Sequence, residues 1–222
     1  MKSSKEIEEI CRKYGIKNYT INEDGSIDVD GNVNLMGKGL TELPLTFNRV
    51  NGYFHCSHNY LTTLEGSPKH VNGYFNCSSN ELTSLEHGPE YVDRDFNCRN
   101  NRLTSLEYSP LEVGKEFNCS DNPKLTSLEG SPKKVWGNFV CSGCRIVDLY
   151  GISDDIGYDI YFGNKSPISS ISEIMDMDFV RAFNSYRVIK DGKVVLKRLK
   201  YVMEAFDMDY DLEKIKVYYE II

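Results

Sequence analysis

The sequence has no apolar run near the ~20 residues of a membrane-spanning helix, and its first ten residues hold no apolar signal segment. It lacks the short motifs with which enzymes bind phosphate, dinucleotides or zinc, and it has no nucleophile elbow. Its four histidines all lie between residues 55 and 87, and none pairs predictably with a cysteine or serine nucleophile. We therefore expect a non-enzymatic, cytoplasmic protein without a cofactor. The net charge of −7 argues against nucleic-acid binding over the whole surface.

A 21-residue unit recurs along the chain. Between residues 71 and 91 it reads Val-Asn-Gly-Tyr-Phe-Asn-Cys-Ser-Ser-Asn-Glu-Leu-Thr-Ser-Leu-Glu-His-Gly-Pro-Glu-Tyr. The copies at 50–70 and 92–112 keep the Phe, Cys, Asn, Leu and Pro positions, 113–134 adds Pro123, and 135–155 is weaker. A divergent copy at 29–49 and a degenerate one at 156–177 bring the total to about seven coils. A fixed period of this length predicts a solenoid.

The core of each unit is Phe-x-Cys-x-x-Asn-x-Leu-x-x-Leu, which is the pattern of a leucine-rich repeat. Alternation predicts a short strand in which Phe75 and Cys77 face inward. Asn80 then follows in a turn, where its side chain can bond the backbone as an asparagine ladder does. Leu82 and Leu85 return to the core. One coil cannot bury its apolar face alone, so stacked coils share one core.

The two ends of the chain differ from the repeats. Residues 1–28 predict a helix at 3–15 and a β-hairpin at 19–29, which together would cap the solenoid of residues 29–177. Residues 178–222 predict an α/β cap or small module. In this part of the chain we expect a helix at 173–183, a hairpin at 186–196, a helix at 196–206 and a final strand at 214–222.

Residues 29–155 resemble the leucine-rich-repeat proteins of tailed bacteriophages, whose unit reads Val-x-Gly-x-Phe-x-Cys-Ser-x-Asn-x-Leu-Thr-Ser-Leu-Glu-Gly-x-Pro. The opening segments 11–16 and 22–28 are similar to the cap of those proteins. The coil also resembles that of secreted effectors of enteric pathogens, some of which add a cysteine ubiquitin-ligase domain, but residues 178–222 contain no cysteine. The resemblance implies a protein-binding scaffold, namely a phage accessory protein that binds a host or defence factor in the cytoplasm of the infected bacterium.

Five of the seven cysteines occupy one repeat position and predict an inward column of reduced thiols: Cys56, Cys77, Cys98, Cys119 and Cys141. Cys141-Ser-Gly-Cys144 could instead serve redox chemistry or half a zinc site. Its register favours structure, because Cys144 falls in the slot that Asn80 fills three coils earlier. No second such pair or nearby histidine pair completes a zinc site.

The outward strand positions are the candidate binding face, because Tyr and His offer contact area with a polar handle. The alternative is a solvated sheet face whose Asn side chains bond sideways to each other. His55 and His58 lack a third ligand, so we predict no metal. The candidate residues are Tyr53, His55, His58, Tyr74, Asn76, Asn97, Arg99 and Asn118.

Two charged features remain. Glu65, Glu86, Glu107 and Glu129 stack at one corner, either as a solvated edge or as a docking rail for a basic partner. The segment 181–200 has one acid among seven cations, which offers an alternative surface for nucleic acid or an acidic protein. Its candidate residues are Arg187, Lys190, Lys193, Lys197, Arg198 and Lys200.

Overall fold

The computed structural model describes residues 2–153 and 155–222. They form a parallel β-solenoid of about six turns with little helix. The chain opens with helix α1 (Ser4–Tyr14), followed by β1 (Tyr19–Ile21) and β2 (Ile27–Val29), which pair antiparallel. The side chains of Ser3 and Glu6 close a capping box on α1, and Gly15 ends the helix at φ 68°. The predicted helix and hairpin are therefore confirmed.

Each coil contributes one short strand to each of two sheets. Sheet A contains β1, β2 and six strands parallel to β2: β4 (Phe47–Val50), β6 (His70–Val71), β8 (Tyr91–Val92), β10 (Glu112–Val113), β12 (Lys134–Val135) and β14 (Asp155–Ile156). Sheet B contains seven parallel strands: β3 (Val33–Asn34), β5 (Phe54–His55), β7 (Phe75–Asn76), β9 (Phe96–Asn97), β11 (Phe117–Asn118), β13 (Phe139–Val140) and β15 (Ile160–Tyr161). An antiparallel strand, β16 (Ile174–Met175), ends sheet B.

Within the repeats, the sequence predicted only the strands of sheet B, whereas the predicted hairpin β1–β2 joins sheet A. Between the two strands of a coil the chain turns at a corner where neighbouring coils approach closely. A Cβ added at Gly73 would lie 2.7 Å from the backbone of Gly52 in the preceding coil, so glycine allows these corners to stack.

Stacked phenylalanines fill the core behind sheet B. Phe54, Phe75, Phe96 and Phe117 lie parallel with ring centroids 5.4 Å apart, and Phe139 continues the column at 5.1 Å with a tilt of 32°. All seven cysteines are buried and free. The inward register predicted for Phe and Cys is confirmed.

The asparagine ladder is also confirmed. Asn80 Nδ2 donates to the carbonyls of Cys77 (3.0 Å) and Cys56 (3.1 Å), while its Oδ1 accepts from the amide of Leu61 (3.0 Å). Asn59, Asn101 and Asn122 do the same in their coils. Cys144 takes this slot next, and its Sγ donates to the Cys119 carbonyl at 3.3 Å, as its register predicted.

The C-terminal part contains a 3₁₀ turn (Pro167–Ser170), α2 (Met177–Ser185), β17 (Ile189–Lys190), β18 (Lys193–Val194), α3 (Leu196–Ala205) and α4 (Leu212–Lys216). The prediction of a helix from residue 173 was wrong at its start, because 174–175 pair with β15 and Asp176 caps α2. The hairpin and the helix from 196 are confirmed.

The final strand predicted at 214–222 was wrong. Asp211 Oδ1 accepts from the amides of Glu213 (2.9 Å) and Lys214 (3.1 Å), so its side chain caps α4 where a strand was expected. Beyond that helix, Ile221 forms a single parallel bridge to Val194.

Candidate functional site

The outer face of sheet B carries an ordered aromatic cluster at its first coils. The rings of Tyr53 and Tyr74 stack with centroids 4.8 Å apart and planes within 6°. His55 meets Tyr74 edge-on at 5.9 Å, and its Nε2 lies 2.7 Å from Ser57 Oγ. Burial, and secondly the nearby His58, lower the pKa of His55 below its usual value. The imidazole therefore stays neutral at physiological pH.

The asparagines of this face turn back onto their own strand. The Oδ1 atoms of Asn76 and Asn97 accept from the amides of Ser78 and Arg99, each at 3.0 Å, and Asn118 repeats the bond to Ser120 at 3.1 Å. The sideways Asn–Asn bonding considered above was therefore wrong. Asparagine side chains readily bond a nearby backbone amide of their own segment in this way. The Nδ2 groups of Asn76 and Asn97 are left without an acceptor among the described residues.

Acidic side chains occupy the Tyr53 and Tyr74 position in later coils. Asp95 Oδ1 accepts from the Glu116 amide at 3.2 Å, and Asp159 Oδ2 accepts from the Tyr161 hydroxyl at 3.2 Å. That bond, together with burial, raises the pKa of Tyr161. Across residues 2–153 and 155–222, the carboxylates of Asp95, Glu116 and Asp159 form no ion pair. These acids were not among the predicted site residues, although the repeat register placed them on this face.

The remaining two candidates lie at the rim. His58 is exposed at φ 55° in the turn after β5. Arg99 Nε donates to Asp121 Oδ2 at 2.8 Å, so its charge is balanced within the chain. No cluster of three or more His, Cys, Asp or Glu that could hold a metal occurs in the described part of the chain.

The basic segment is only partly available to a partner. Lys193 Nζ pairs with Glu220 at 2.8 Å, and Arg198 Nη1 donates to the Arg187 carbonyl at 3.2 Å. Lys190 lies opposite Lys193 in the β17–β18 hairpin, whereas Lys197 and Lys200 are exposed on α3. The structure thus places all six residues in one C-terminal unit. Two of them, Lys193 and Arg198, already bond to other groups of the chain.

The glutamate column is exposed at all four positions: Glu65, Glu86, Glu107 and Glu129. Beyond Glu129 lies a cleft of about 1080 Å³ between the last corner of the solenoid and α2, with Tyr150, Met177 and Arg187 in its lining. No sequence pattern indicates this cleft, because it depends on how α2 packs against the solenoid.

The chain is thus a parallel β-solenoid with one sheet face that is aromatic at one end and acidic at the other. No protein-family model matches it, and neither a curated protein nor a solved structure is significantly similar to it. Within the described residues, no helix has the length and apolar character needed to cross a membrane.

Proposed function

We propose that this chain is a leucine-rich-repeat protein of the phage type that binds another protein and catalyses no reaction. The repeat assignment is supported by the burial of Phe75, Cys77, Asn80, Leu82 and Leu85 in one coil, as that pattern requires.

Residues 1–28 and 178–222 act in this proposal as the caps of the solenoid. At one end, α1 buries Ile7 and Cys11 in the same hydrophobic core as the coils. At the other end, α2 buries Phe179, Val180 and Phe183 in the same core. It follows β16, which runs antiparallel to β15 and so stops the parallel pairing of sheet B. Caps of this kind protect the core and the strand edges of a solenoid from solvent.

The observation that carries the proposal is the stacked pair of Tyr53 and Tyr74 beside a neutral His55. Rigid aromatic side chains with polar tips lose little entropy on binding and dominate the energy of many protein interfaces. The partner is a host or defence protein, met in the cytoplasm of an infected bacterium. The reducing setting is supported by seven unpaired, buried thiols.

The test is a pull-down from bacterial lysate with the tagged chain and with a Tyr53→Ala, Tyr74→Ala variant. We expect the variant to stay folded by circular dichroism and to lose the partner, because the aromatic anchors are gone. The matched control is Tyr60→Ala with Tyr158→Ala, which removes two tyrosines that are 62% and 69% exposed away from this face. Equal capture by the wild type and the Tyr53, Tyr74 variant would contradict the proposal.

The basic segment supports a second candidate, the binding of nucleic acid or an acidic protein. Arg187, Lys190, Lys197 and Lys200 are exposed and pair with no acid in the described ranges. Binding there would fall steeply with salt and, for nucleic acid, would disappear after nuclease treatment. A Lys197→Glu, Lys200→Glu variant in the same pull-down separates the two candidates. Loss of capture in that variant alone would move the function to residues 181–200.

A further inference from the structure

Sheet A holds a lysine between an aromatic ring and a carboxylate. Lys134 Nζ lies 3.7 Å from the ring centroid of Trp136 and 2.8 Å from Asp155 Oδ2 in the next coil. The ring face attracts the cation while the carboxylate balances its charge. The coil spacing therefore suits a cation held by an aromatic group and by an acid one coil further on.

A histidine of the same sheet also contacts a ring and an acid, but both of these lie at the next strand, β8. His70 Nε2 lies 3.0 Å from Asp93 Oδ1, and its ring centroid is 5.9 Å from that of Tyr91. On sheet A, the positions beside these rings and acids are thus filled by Lys134 and His70 of the chain itself.

Sheet B presents the same sequence of groups without a cation. Tyr74 is followed at the equivalent position of the next two coils by Asp95 and Glu116, and the Phe75 amide donates to the Asp95 carbonyl at 2.9 Å. Asp95 uses Oδ1 for the Glu116 amide, and Glu116 uses Oε1 for Asn118 Nδ2. The second oxygen of each carboxylate has no partner among the residues described. Arg99, the cation at an outward position of the Asp95 coil, is already paired with Asp121. Arg94 and Lys115, which precede the two acids in the sequence, form no ion pair among the described residues.

We propose that this face binds an extended segment of its partner whose arginine side chain lies over Tyr74 and pairs with Asp95 and Glu116. The inference rests on the proposed function, since it specifies the partner of the same face. Arginine fits better than lysine because its planar guanidinium can stack on a phenol while two of its nitrogens donate, one to the free oxygen of each carboxylate.

The shape of the face favours an extended segment. From Tyr53 to Asp159 the same position passes through five steps of ~4.8 Å, or about 24 Å, which about seven residues of extended chain would span. Along this path the free Nδ2 groups of Asn76 and Asn97 can donate to the carbonyls of the bound backbone, and Tyr53 extends the aromatic surface beyond the arginine.

The experiment measures fluorescence anisotropy with a fluorescein-labelled nine-residue peptide of Gly and Ser with one central Arg and a second Arg four residues on. A peptide with Lys at both positions is the matched probe. We expect the Lys peptide to bind about fivefold more weakly, because ammonium lacks the stacking and bidentate geometry. Asp95→Asn with Glu116→Gln should weaken the Arg peptide by about tenfold, because both charge-assisted bonds are lost.

The control variant is Glu107→Gln with Glu112→Gln, which removes the same charge from neighbouring positions off this face. It should bind the Arg peptide as the wild type does. Equal losses in the two variants, equal binding of the Arg and Lys peptides, or no binding of the Arg peptide would each overturn the inference. If the Tyr53, Tyr74 variant loses a lysate partner that the Asp95, Glu116 variant keeps, the proposed function is supported and only the arginine site is contradicted. If the lysate yields no partner but the peptides bind as expected, the arginine site is supported and the proposed function is contradicted.

Discussion

At the scale of single residues, buried asparagines join one coil to the next. Asn101 has its side chain in the core, where Nδ2 donates to the carbonyls of Cys98 (3.0 Å) and Cys77 (3.1 Å) and Oδ1 accepts from the amide of Leu82 (3.1 Å). Water cannot reach these backbone groups, and among the described residues the Leu82 amide has no partner other than this carboxamide. The two carbonyls are shared with neighbouring asparagines, because Asn80 also donates to Cys77 and Asn122 also donates to Cys98.

Asn101→Ala should therefore lower the free energy of unfolding by about 1–3 kcal/mol, because the buried Leu82 amide loses its partner while each carbonyl keeps one asparagine donor. Asn101→Cys should lose less, since Cys144 fills the same slot and donates to a carbonyl of the preceding coil. Urea titration checks both. The control is Asn72→Ala, whose side chain receives only a 3.5 Å bond from exposed Arg49 and should change stability by less than about 0.5 kcal/mol. A loss as large as that of Asn101→Ala in the control would contradict the ladder's role.

At the scale of elements, the two-residue strands are stable because their side chains stack from coil to coil. Phe96 is 1% exposed, and its ring lies 5.4 Å from those of Phe75 and Phe117. A strand of two residues has few ladder bonds of its own, so the buried ring supplies most of the stability of its coil.

Phe96→Ala should lower the free energy of unfolding by about 3–5 kcal/mol, the usual loss when a core aromatic is emptied. Asn97→Ala, one residue on and facing outward, should lose less than about 1 kcal/mol, because the Arg99 amide that it frees can be solvated. Denaturant titration of both variants measures the difference. Losses of the same size would mean that the inward and outward positions of sheet B are assigned wrongly.

Within the repeats, the sequence predicted the strands of sheet B and missed those of sheet A for a physical reason. In sheet B, two inward residues such as Phe75 and Cys77 alternate with outward ones, and this pattern recurs coil after coil. The sheet A strands from β6 to β14 have one inward residue each, such as Val71, and a single apolar residue gives no alternation to detect. The helix α4 was missed because the aromatic and β-branched residues after it resemble a strand, while the only start signal is the cap at Asp211.

The candidate site was predicted to the same partial extent. The register alone places Tyr53 and Tyr74 one coil apart on one face, so their contact follows from the repeat. The lack of an ion pair at Asp95 does not follow from the register, because Arg94 precedes Asp95 in the sequence and Arg99 lies in the same coil, yet Arg99 pairs with Asp121. Side-chain packing between coils decides which carboxylate an arginine reaches, and no local sequence pattern indicates it.

At the scale of the whole molecule, the column of buried thiols makes the stability of the solenoid depend on pH. Burial raises the pKa of Cys56 to about 12 and raises those of Cys77, Cys98, Cys119 and Cys141 as well. A thiolate at any of these positions would be a charge in an apolar core. The native stack therefore keeps its thiols protonated at a pH where the unfolded chain has lost those protons.

These thiols stay reduced in the native protein, and its mass under native conditions should show no disulfide bridge. Iodoacetamide should modify none of the five column cysteines in the folded state at pH 8 and all of them in urea, since only the exposed thiolate reacts. A native mass that shows two bridges among them would contradict this expectation.

The same column should make the protein unstable in alkali. Below the ordinary thiol pKa of about 8.5 both states hold their protons, and the stability is complete. As the pH rises from there towards about 12, the unfolded chain binds fewer protons than the native one, so the free energy of unfolding falls by up to about 1.4 kcal/mol per pH unit for each buried thiol. Urea titrations between pH 8 and 10.5, with excess reductant, measure the slope. Cys98→Ala should lower stability at every pH but reduce the slope by about 1.4 kcal/mol per unit, because one of the thiols no longer titrates. A variant with the slope of the wild type would show that the thiol column does not set the alkaline limit.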